Sequence, residues 1–511
     1  MNKNVELYNL TNPQLSLWNI EQFYPGTSIN NICGIVQINE KVNFINLEKA
    51  INLVVKNNDG MRIRLDNSGN TIAQYIATYS SFNIDLLTID AGSLIETGKT
   101  LVKESFSILD GPLYNFKMFQ SKDGTNGVII LLYHLIADAW TINFIASQIL
   151  SYYKQLQSPS QPELANYSYI DYIATEQSYL NSDKFIKDKF YWEEYFNYLP
   201  EITSLKSEEN FSIDSNRKEF VISGKAISEI NAFCSQNNIS QYIFFLSLYS
   251  IYFRNILNTK NYIIGNPILN RSNFSEKNTV GTFINTAPFI VQINDDDDFI
   301  QNCINLSSEQ KQMYRHIRYP LTLIQQYVKK KHSNNTNLFD IIFSYQNAKV
   351  NVSTDDINYN TYWIPNGQQV ESIMVHIKDT DNTGNVYINY DYLTSVFSEN
   401  EITLLHERIL NILNQVLKSP NMRMGDIDIV TESEKKHLLY NLNDTKMEYD
   451  KKLTIVNLFE KQVMSTPENI AVTAGINSLT YRELNLKANF LATKLKDSGV
   501  SLRRCCRHFA K

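Results

Sequence analysis

Long apolar runs are absent from this chain of 511 residues. No stretch reaches the roughly 18 residues of a membrane-spanning helix, and the longest candidate, Tyr242–Phe253, has the length of a buried core helix. The N-terminal sequence MNKNVELYNLTNPQ lacks the apolar segment of a secretory signal, so a cytoplasmic protein is expected. On that reading the Asn-x-Ser/Thr triplets at Asn166, Asn238 and Asn351 are not glycosylation acceptors. Cysteine is scarce: five residues, three of them widely scattered, exclude a disulfide scaffold. Glycine (17) and proline (12) are also few beside abundant Asn, Ile, Lys and Tyr, a bias of coding composition more than of structure. Excess positive charge is missing as well. The net charge is −6 and the isoelectric point about 5.8, so no global basic field points to nucleic acid. Neither a G-x-x-x-x-G-K-S/T phosphate loop nor a His-Glu-x-x-His metal pair occurs.

What is present is ordinary for a globular protein with a sizeable core: 43% hydrophobic and 20% charged residues, with a mean hydropathy of −0.29. The length allows two to four domains of roughly 150 residues. Strand-like and helix-like periods alternate, as in a mixed α and β fold. Ile32–Asn39 alternates as a strand and Leu47–Lys56 has helical spacing. Gly127–Tyr133 reads as a buried strand, and Thr141–Tyr153 as an amphipathic helix. After a polar break at 158–162 the pattern restarts with strand Glu219–Ile222, helix Ile227–Asn237 and the apolar helix Gln241–Leu257. Strands follow at Tyr262–Gly265, within Val280–Ile293, at Phe339–Tyr345, Ile373–Ile377 and Asn385–Tyr392, and helix Glu399–Lys418 closes this part. Lys329–Asn337 reads as a solvated loop, and Asp295–Asp298 as a solvated strand end rather than a calcium loop. Two α/β halves result, about 1–175 and 185–435.

The sharpest chemical pattern is Tyr133-His134-Leu135-Ile136-Ala137-Asp138-Ala139-Trp140, between the buried strand and the amphipathic helix. His134 can exchange a proton near neutral pH, and Asp138 can cap the helix or be held by an arginine. Spacing alone admits an equally simple reading, a structural histidine followed by a capping aspartate.

Seven segments in order resemble the motifs of nonribosomal peptide synthetase condensation domains. They are NPQLSLW (12–18) with YPGTSINNI (24–32), NNDGMRIRL (57–65), YHLIADA (133–139), YIDYIA (169–174), VGTFINTAP (280–288), HIRYPLTL (316–323) and LFDIIFSYQN (338–347). The core family motif is His-His-x-x-x-Asp-Gly; here Tyr133 stands for the first histidine and Ala139 for the glycine. The resemblance implies an α/β (α+β) fold of two chloramphenicol acetyltransferase-like lobes forming a V-shaped pseudo-dimer. It also implies an acyltransferase that joins a donor acyl or aminoacyl thioester to the amine of an acceptor aminoacyl thioester. His134 would be catalytic, with Tyr133, Asp138, Ala139, Trp140 and Arg271 supporting the motif and Asp138 pairing with Arg271. Arg62, Asn285, Thr286, Ser344 and Gln346 are candidate channel residues. No cofactor or metal is expected to be bound. Substrates would arrive on phosphopantetheine arms of carrier proteins or as acyl-CoA, and the partners would be carrier proteins and other synthetase modules around a monomer.

From about Asn441 the character changes. After a polar linker at 436–452, the segments Leu453–Phe459, TPENIAV (466–472) and LTYRELN (479–485) resemble the opening of an adenylation domain, truncated at about 502. The final stretch RRCCRHFAK departs abruptly, and Cys505, Cys506 and His508 lack zinc-ligand spacing. One codon set for it, read one base later, encodes E-D-V-V-A-I-L-L, an apolar strand; residues 503–511 are therefore expected to be a frameshifted tail. Other readings are a starter domain N-acylating an amino acid from acyl-CoA, a non-catalytic remnant, and a free-standing acyltransferase.

Overall fold

A computed structural model describes residues 6–500, apart from 70, 110, 158–166, 201–203, 206–211, 334–336, 347–356, 380–383 and 449. The expected frameshifted tail lies outside the described residues. The chain forms two units, Met1–Thr431 and Glu432–Lys511, against the boundary at 435 expected from sequence.

The first unit holds two large sheets, each with its own core, and a small three-stranded one of Tyr8–Asn9, Ala73–Ile76 and Ile63–Asp66. The first sheet has the strand order Tyr359–Ile364, Asn31–Ile38, Asn126–Tyr133, Tyr114–Ser121, Leu86–Ile89. All neighbours are antiparallel except the last pair. Helices Phe44–Asn57 and Ala139–Gln155 cover one face, where Leu47, Ile51 and Val54 share a core with Ile142, Ile145 and Ile149. Helix Leu94–Leu101 covers the other, over Cys33, Ile35, Ile129 and Leu131. Both faces are therefore dry, which explains why Val128–Leu132 reads as an unbroken apolar run instead of alternating.

The second sheet runs Asn285–Gln292, Asn261–Ile268, Ile341–Gln346, Ile373–Lys378, Val386–Leu393, Ser215–Ile222. One face sends Phe343, Val375, Ile377, Ile388 and Tyr390 into a core under helices Gln241–Leu257 and Glu399–Lys418. The first of these helices is buried continuously from Ile243 to Phe253, as its all-round apolar sequence requires. The opposite face alternates to polar residues: Ser344 and Gln346, His376 and Lys378, Asn389 and Asp391, Arg217 and Glu219.

Three readings need correction. Tyr359–Ile364 belongs to the second half of the chain yet pairs with Asn31–Ile38 in the first sheet, so the two sheets do not follow a simple division of the sequence. The Lys329–Asn337 loop begins as helix: Leu321–His332 is continuous, and its last turn carries Lys329, Lys330 and Lys331, cations favoured at a helix C-terminus. The acidic run is engaged in ion pairs and a cap. Asp295 pairs with Arg254 and, at 2.6 Å, with Lys260, while Asp298 caps helix Phe299–Tyr314 through the Gln301 N–H at 2.8 Å.

The two sheets meet where the fifth motif passes the second. Val280 and Phe283 enter the core of the first sheet. A Cβ on Gly60 would lie 2.1 Å from the Val280 carbonyl oxygen, and one on Gly281 would lie 2.2 Å from the Tyr169 ring, so only glycine fits at either approach. Nearby, helix Tyr169–Leu180 presents Glu176, whose two oxygens each accept the Asn12 N–H at 3.1 Å at the start of helix Asn12–Phe23.

In the second unit, helices Ile455–Ser465 and Tyr481–Asp497 flank a hairpin of Ile470–Ala474 and Asn477–Thr480. Capping boxes open both helices, Thr454 with Asn457 and Thr480 with Glu483. None of these elements has a buried residue, and Ile455, Ile470 and Phe490 stay exposed. The stretch expected to be a polar linker, 436–452, opens on the end of helix Glu432–Lys436 and contains a further helical turn, His437–Asn441.

Burial lifts the Glu176 pKa to about 7, against the opposing pull of the Asn12 amide. The folded state thus keeps a proton that the unfolded chain releases near its ordinary 4.5, and this stabilisation fades as pH rises towards 7. Glu176→Gln is expected to flatten the fall of unfolding free energy with rising pH across that interval by on the order of 2 kcal/mol, measured by urea denaturation at several pH values.

Candidate active site

Strand Asn126–Tyr133 ends at the motif, and His134 opens a single 3-10 turn, His134–Ile136. Its backbone is held at both ends: the N–H donates to the Asn30 carbonyl at 2.7 Å, and the carbonyl accepts the Ala137 N–H at 3.2 Å. The next carbonyl, that of Leu135, accepts the Gln14 side chain at 3.3 Å. The residue remains partly open, yet its Nδ1 is buried with no hydrogen-bond partner. Desolvation holds the imidazole below its ordinary pKa, with the Asp138 charge opposing that shift. A neutral ring at pH 7 follows, which can accept a proton.

Asp138 caps helix Ala139–Gln155, its Oδ1 accepting the Thr141 N–H at 2.8 Å. The same carboxylate meets Arg271 Nη2 at 3.1 and 3.2 Å and accepts the Phe283 N–H at 3.0 Å. Both ionic side chains are sealed, at 0% and 1% exposure, so neither charge has water to fall back on. Arg271 also donates to the carbonyls of Glu276 (2.5 Å), Thr279 (2.7 Å) and Gly281 (2.8 Å) and to the Thr141 hydroxyl (2.8 Å). Its guanidinium lies 3.8 Å over the Phe283 ring. Trp140 adds a bond from its indole N–H to the Lys277 carbonyl at 2.8 Å. One cluster therefore ties the start of the motif helix to segment 271–283.

The residues nominated from sequence divide. Tyr133, His134, Asp138, Ala139, Trp140 and Arg271 come together in or beside this cluster. Arg62 instead donates to the Ala77 carbonyl at 3.0 Å. Asn285 clamps the carbonyls of Ile317 and Tyr319 at 2.7 and 3.1 Å, and Thr286 follows it in the edge strand, opposite Pro267. Ser344 and Gln346 lie on the polar face of the second sheet, where Gln346 reaches His376 Nδ1 at 3.3 Å.

Sequence reading missed the rest of that face. Arg217 grips Asp391 through two bonds of 2.5 and 2.6 Å, and His376 Nε2 stands 3.4 Å from the same carboxylate. Burial opposes ionisation of Asp391, but the Arg217 charge and bonds keep its pKa well below the usual carboxylate range. Lys378, desolvated and beside Arg217, is lowered to about 8. Glu21 and Asn30, behind Tyr133, were also missed. An alternation of polar residues in strands 215–222, 373–378 and 386–393 was the available signal for the sheet face; the two residues near the N-terminus offered none. Among the described residues no cluster of three or more His, Cys, Asp or Glu side chains is arranged to hold a metal. No described helix is long and apolar enough to cross a membrane.

The site thus sets a partly open histidine at a strand end, beside a buried ion pair that anchors the following helix. The chain belongs to the condensation domain family, which matches residues 4–439. It is 29% identical over 508 residues to surfactin synthase subunit 1 of Bacillus subtilis strain 168, and 24% identical over 507 residues to gramicidin S synthase 2 of Brevibacillus brevis. Each comparison covers 97% of this chain, which spans only 14% and 11% of the length of those curated relatives. Among solved structures, the starter condensation domain of rhizomide synthetase in complex with C8-CoA superposes with a TM-score of 0.74 at 16% identity, covering 83% of this chain and 97% of that one. The first condensation domain of the calcium-dependent antibiotic synthetase gives 0.73 at 14% identity, covering 83% and 99%.

Arg271→Ala leaves Asp138 as a buried, uncompensated charge and is expected to cost about 3–5 kcal/mol of stability. Arg271→Lys should recover less than half of that, because an ammonium cannot reproduce the planar fork that serves six oxygen acceptors on five residues. Chemical denaturation of the two variants measures both quantities.

Proposed function

We propose that the Met1–Thr431 unit forms an amide bond between a donor acyl or aminoacyl thioester and the amine of an acceptor aminoacyl thioester carried on phosphopantetheine. The observation that carries this reading is the family membership joined to a partly open His134 whose backbone and flanking helix are both held in place. The neutral acceptor amine attacks the thioester carbonyl carbon. The new C–N bond forms as the C–S bond breaks, the ammonium proton passes to the His134 imidazole, and the departing thiolate takes a proton to leave as thiol. Alternatively, His134 and a helix N-terminus steady the tetrahedral oxyanion. Holding two tethered substrates on one line supplies a further share of the rate. Asp138 and Arg271 act by bracing the turn that presents His134. Ser344 and Gln346, with His376 beside them, offer polar groups to the substrate amides.

Carrier proteins and neighbouring synthetase modules are the partners this reading requires. A starter variant, with acyl-CoA as donor, is supported by solved neighbours that are starter condensation domains, one of them in complex with C8-CoA. We also read residues 453–502 as the beginning of an adenylation domain. Support comes from the match to a surfactin synthase over 508 residues, well past residue 439 where the condensation match ends.

The test combines the purified chain with loaded donor and acceptor carriers, or with octanoyl-CoA as donor, and follows the elongated thioester by mass spectrometry. His134→Ala should lower the rate by at least about 100-fold; full activity in that variant overturns the assignment of His134. Because desolvation lowers the His134 pKa, the acid limb of the kcat/KM profile should fall below the ordinary histidine value of about 6.5. A limb at or above that value would contradict a desolvated neutral base.

A further inference from the structure

Tyr133 occupies the position at which the family motif has its first histidine, and it is 2% exposed. Its hydroxyl donates to Glu21 Oε2 at 2.6 Å and accepts from Asn30 Nδ2 at 3.1 Å. Glu21 is itself only 4% exposed, and its other oxygen accepts the Gly26 N–H at 3.1 Å. Asn30, at 2%, is the residue whose carbonyl receives the His134 N–H at 2.7 Å. Its side chain also donates to the Leu17 carbonyl at 3.3 Å. Helix Asn12–Phe23 carries Glu21, and from the same helix Gln14 holds the Leu135 carbonyl. The Phe106 ring meets the Tyr133 ring edge-on at 5.9 Å and fixes its plane.

We propose that Glu21 is a positioning residue for His134, acting through the Tyr133 hydroxyl and Asn30 as one chain of hydrogen bonds. The proposal rests on the reading that His134 meets the reacting groups. The physical argument is one of satisfaction. A buried carboxylate needs donors, and Glu21 receives two, the phenol and a backbone amide. Burial and the neighbouring carboxylate raise the phenol pKa, so Tyr133 stays a proton donor throughout any working range. The phenol in turn orients the Asn30 amide, and the Asn30 carbonyl on the same residue sets the position of the His134 backbone. Tyr133 thus supplies a hydrogen-bond donor at the position where the family motif has its first histidine.

The test uses the full chain with Tyr133→Phe, Glu21→Gln, the double variant and Tyr133→His. The two readouts are condensation kinetics and hydrogen–deuterium exchange of the peptide spanning His134. Tyr133→Phe keeps the ring and removes the donor. It should speed exchange of the His134 amide and lower kcat at least tenfold, with KM for both carriers within twofold. Glu21→Gln replaces one of two acceptor oxygens by an N–H donor and should act in the same direction. The double variant should be no worse than Tyr133→Phe alone, because both changes break one chain. Tyr133→His should recover kcat to within threefold of the unsubstituted chain. Exchange that does not change in Tyr133→Phe overturns the coupling, as does faster exchange with kcat unaltered. Absence of condensation by the unsubstituted chain would instead overturn the reading of His134 on which the coupling rests, and the exchange arm tells the two failures apart.

Discussion

The arrangement depends first on one buried ion pair, Asp138 with Arg271. Neither side chain reaches water, so each charge must be satisfied by protein, and the satisfaction is nearly complete. Asp138 accepts from Thr141 and Phe283 as well as from the guanidinium, and the two terminal nitrogens of Arg271 also serve the carbonyls of Glu276, Thr279 and Gly281 and the Thr141 hydroxyl, leaving its buried Nε without a partner. Such a cluster is intolerant of separation: moving the motif helix away from segment 271–283 would strand a charge in a medium of low polarisability. The helix that starts at Ala139 and the segment that reaches Phe283 therefore share one fixed frame, and the turn bearing His134 lies immediately before it.

A second buried network, on the polar face of the larger sheet, has a different character. Arg217 and Asp391 form a tight two-bond pair, but around them His376 and Lys378 are each pushed towards neutrality by burial. Asn389, with its amide turned to serve both, bridges Glu219 at 2.8 Å and Lys378 at 2.9 Å. A face built this way offers donors and acceptors at low net charge, a surface suited to amide-bearing groups more than to ions.

Much of the fold was legible in the sequence because period and burial agree. Gln241–Leu257 and Glu399–Lys418 have the bounds their apolar patterns set, and the strands near 32, 127, 262 and 373 lie where alternation or apolar runs put them. The failures have physical causes. Lys329–Lys331 looked like a solvated loop because a charge run resembles one, although the end of a helix is where such charges are favourable. Tyr359–Ile364, sequence YNTYWI, lacks a clean alternation because much of it is an open edge of the sheet. At the site, the His-x-x-x-Asp spacing alone does not separate a reactive histidine from a structural one, and the nomination of His134 rests on the motif resemblance. Glu21 and Tyr133 are 112 positions apart, and no local rule connects them.

The crossing strand Tyr359–Ile364 has a consequence for how the chain is made. Until about residue 364 has left the ribosome, strand Asn31–Ile38 has an unpaired edge, with its Cys33, Ile35 and Gln37 backbone groups open to any extended segment nearby. The first sheet cannot be complete when its own half of the sequence is complete. It must wait through the synthesis of most of the second, a separation of more than 300 residues between paired strands that makes this closure a late event in folding. The nascent protein therefore passes through a stage in which its first half is collapsed but adhesive. During that interval chaperone contact, or pairing with the wrong strand of a neighbouring chain, competes with the correct finish.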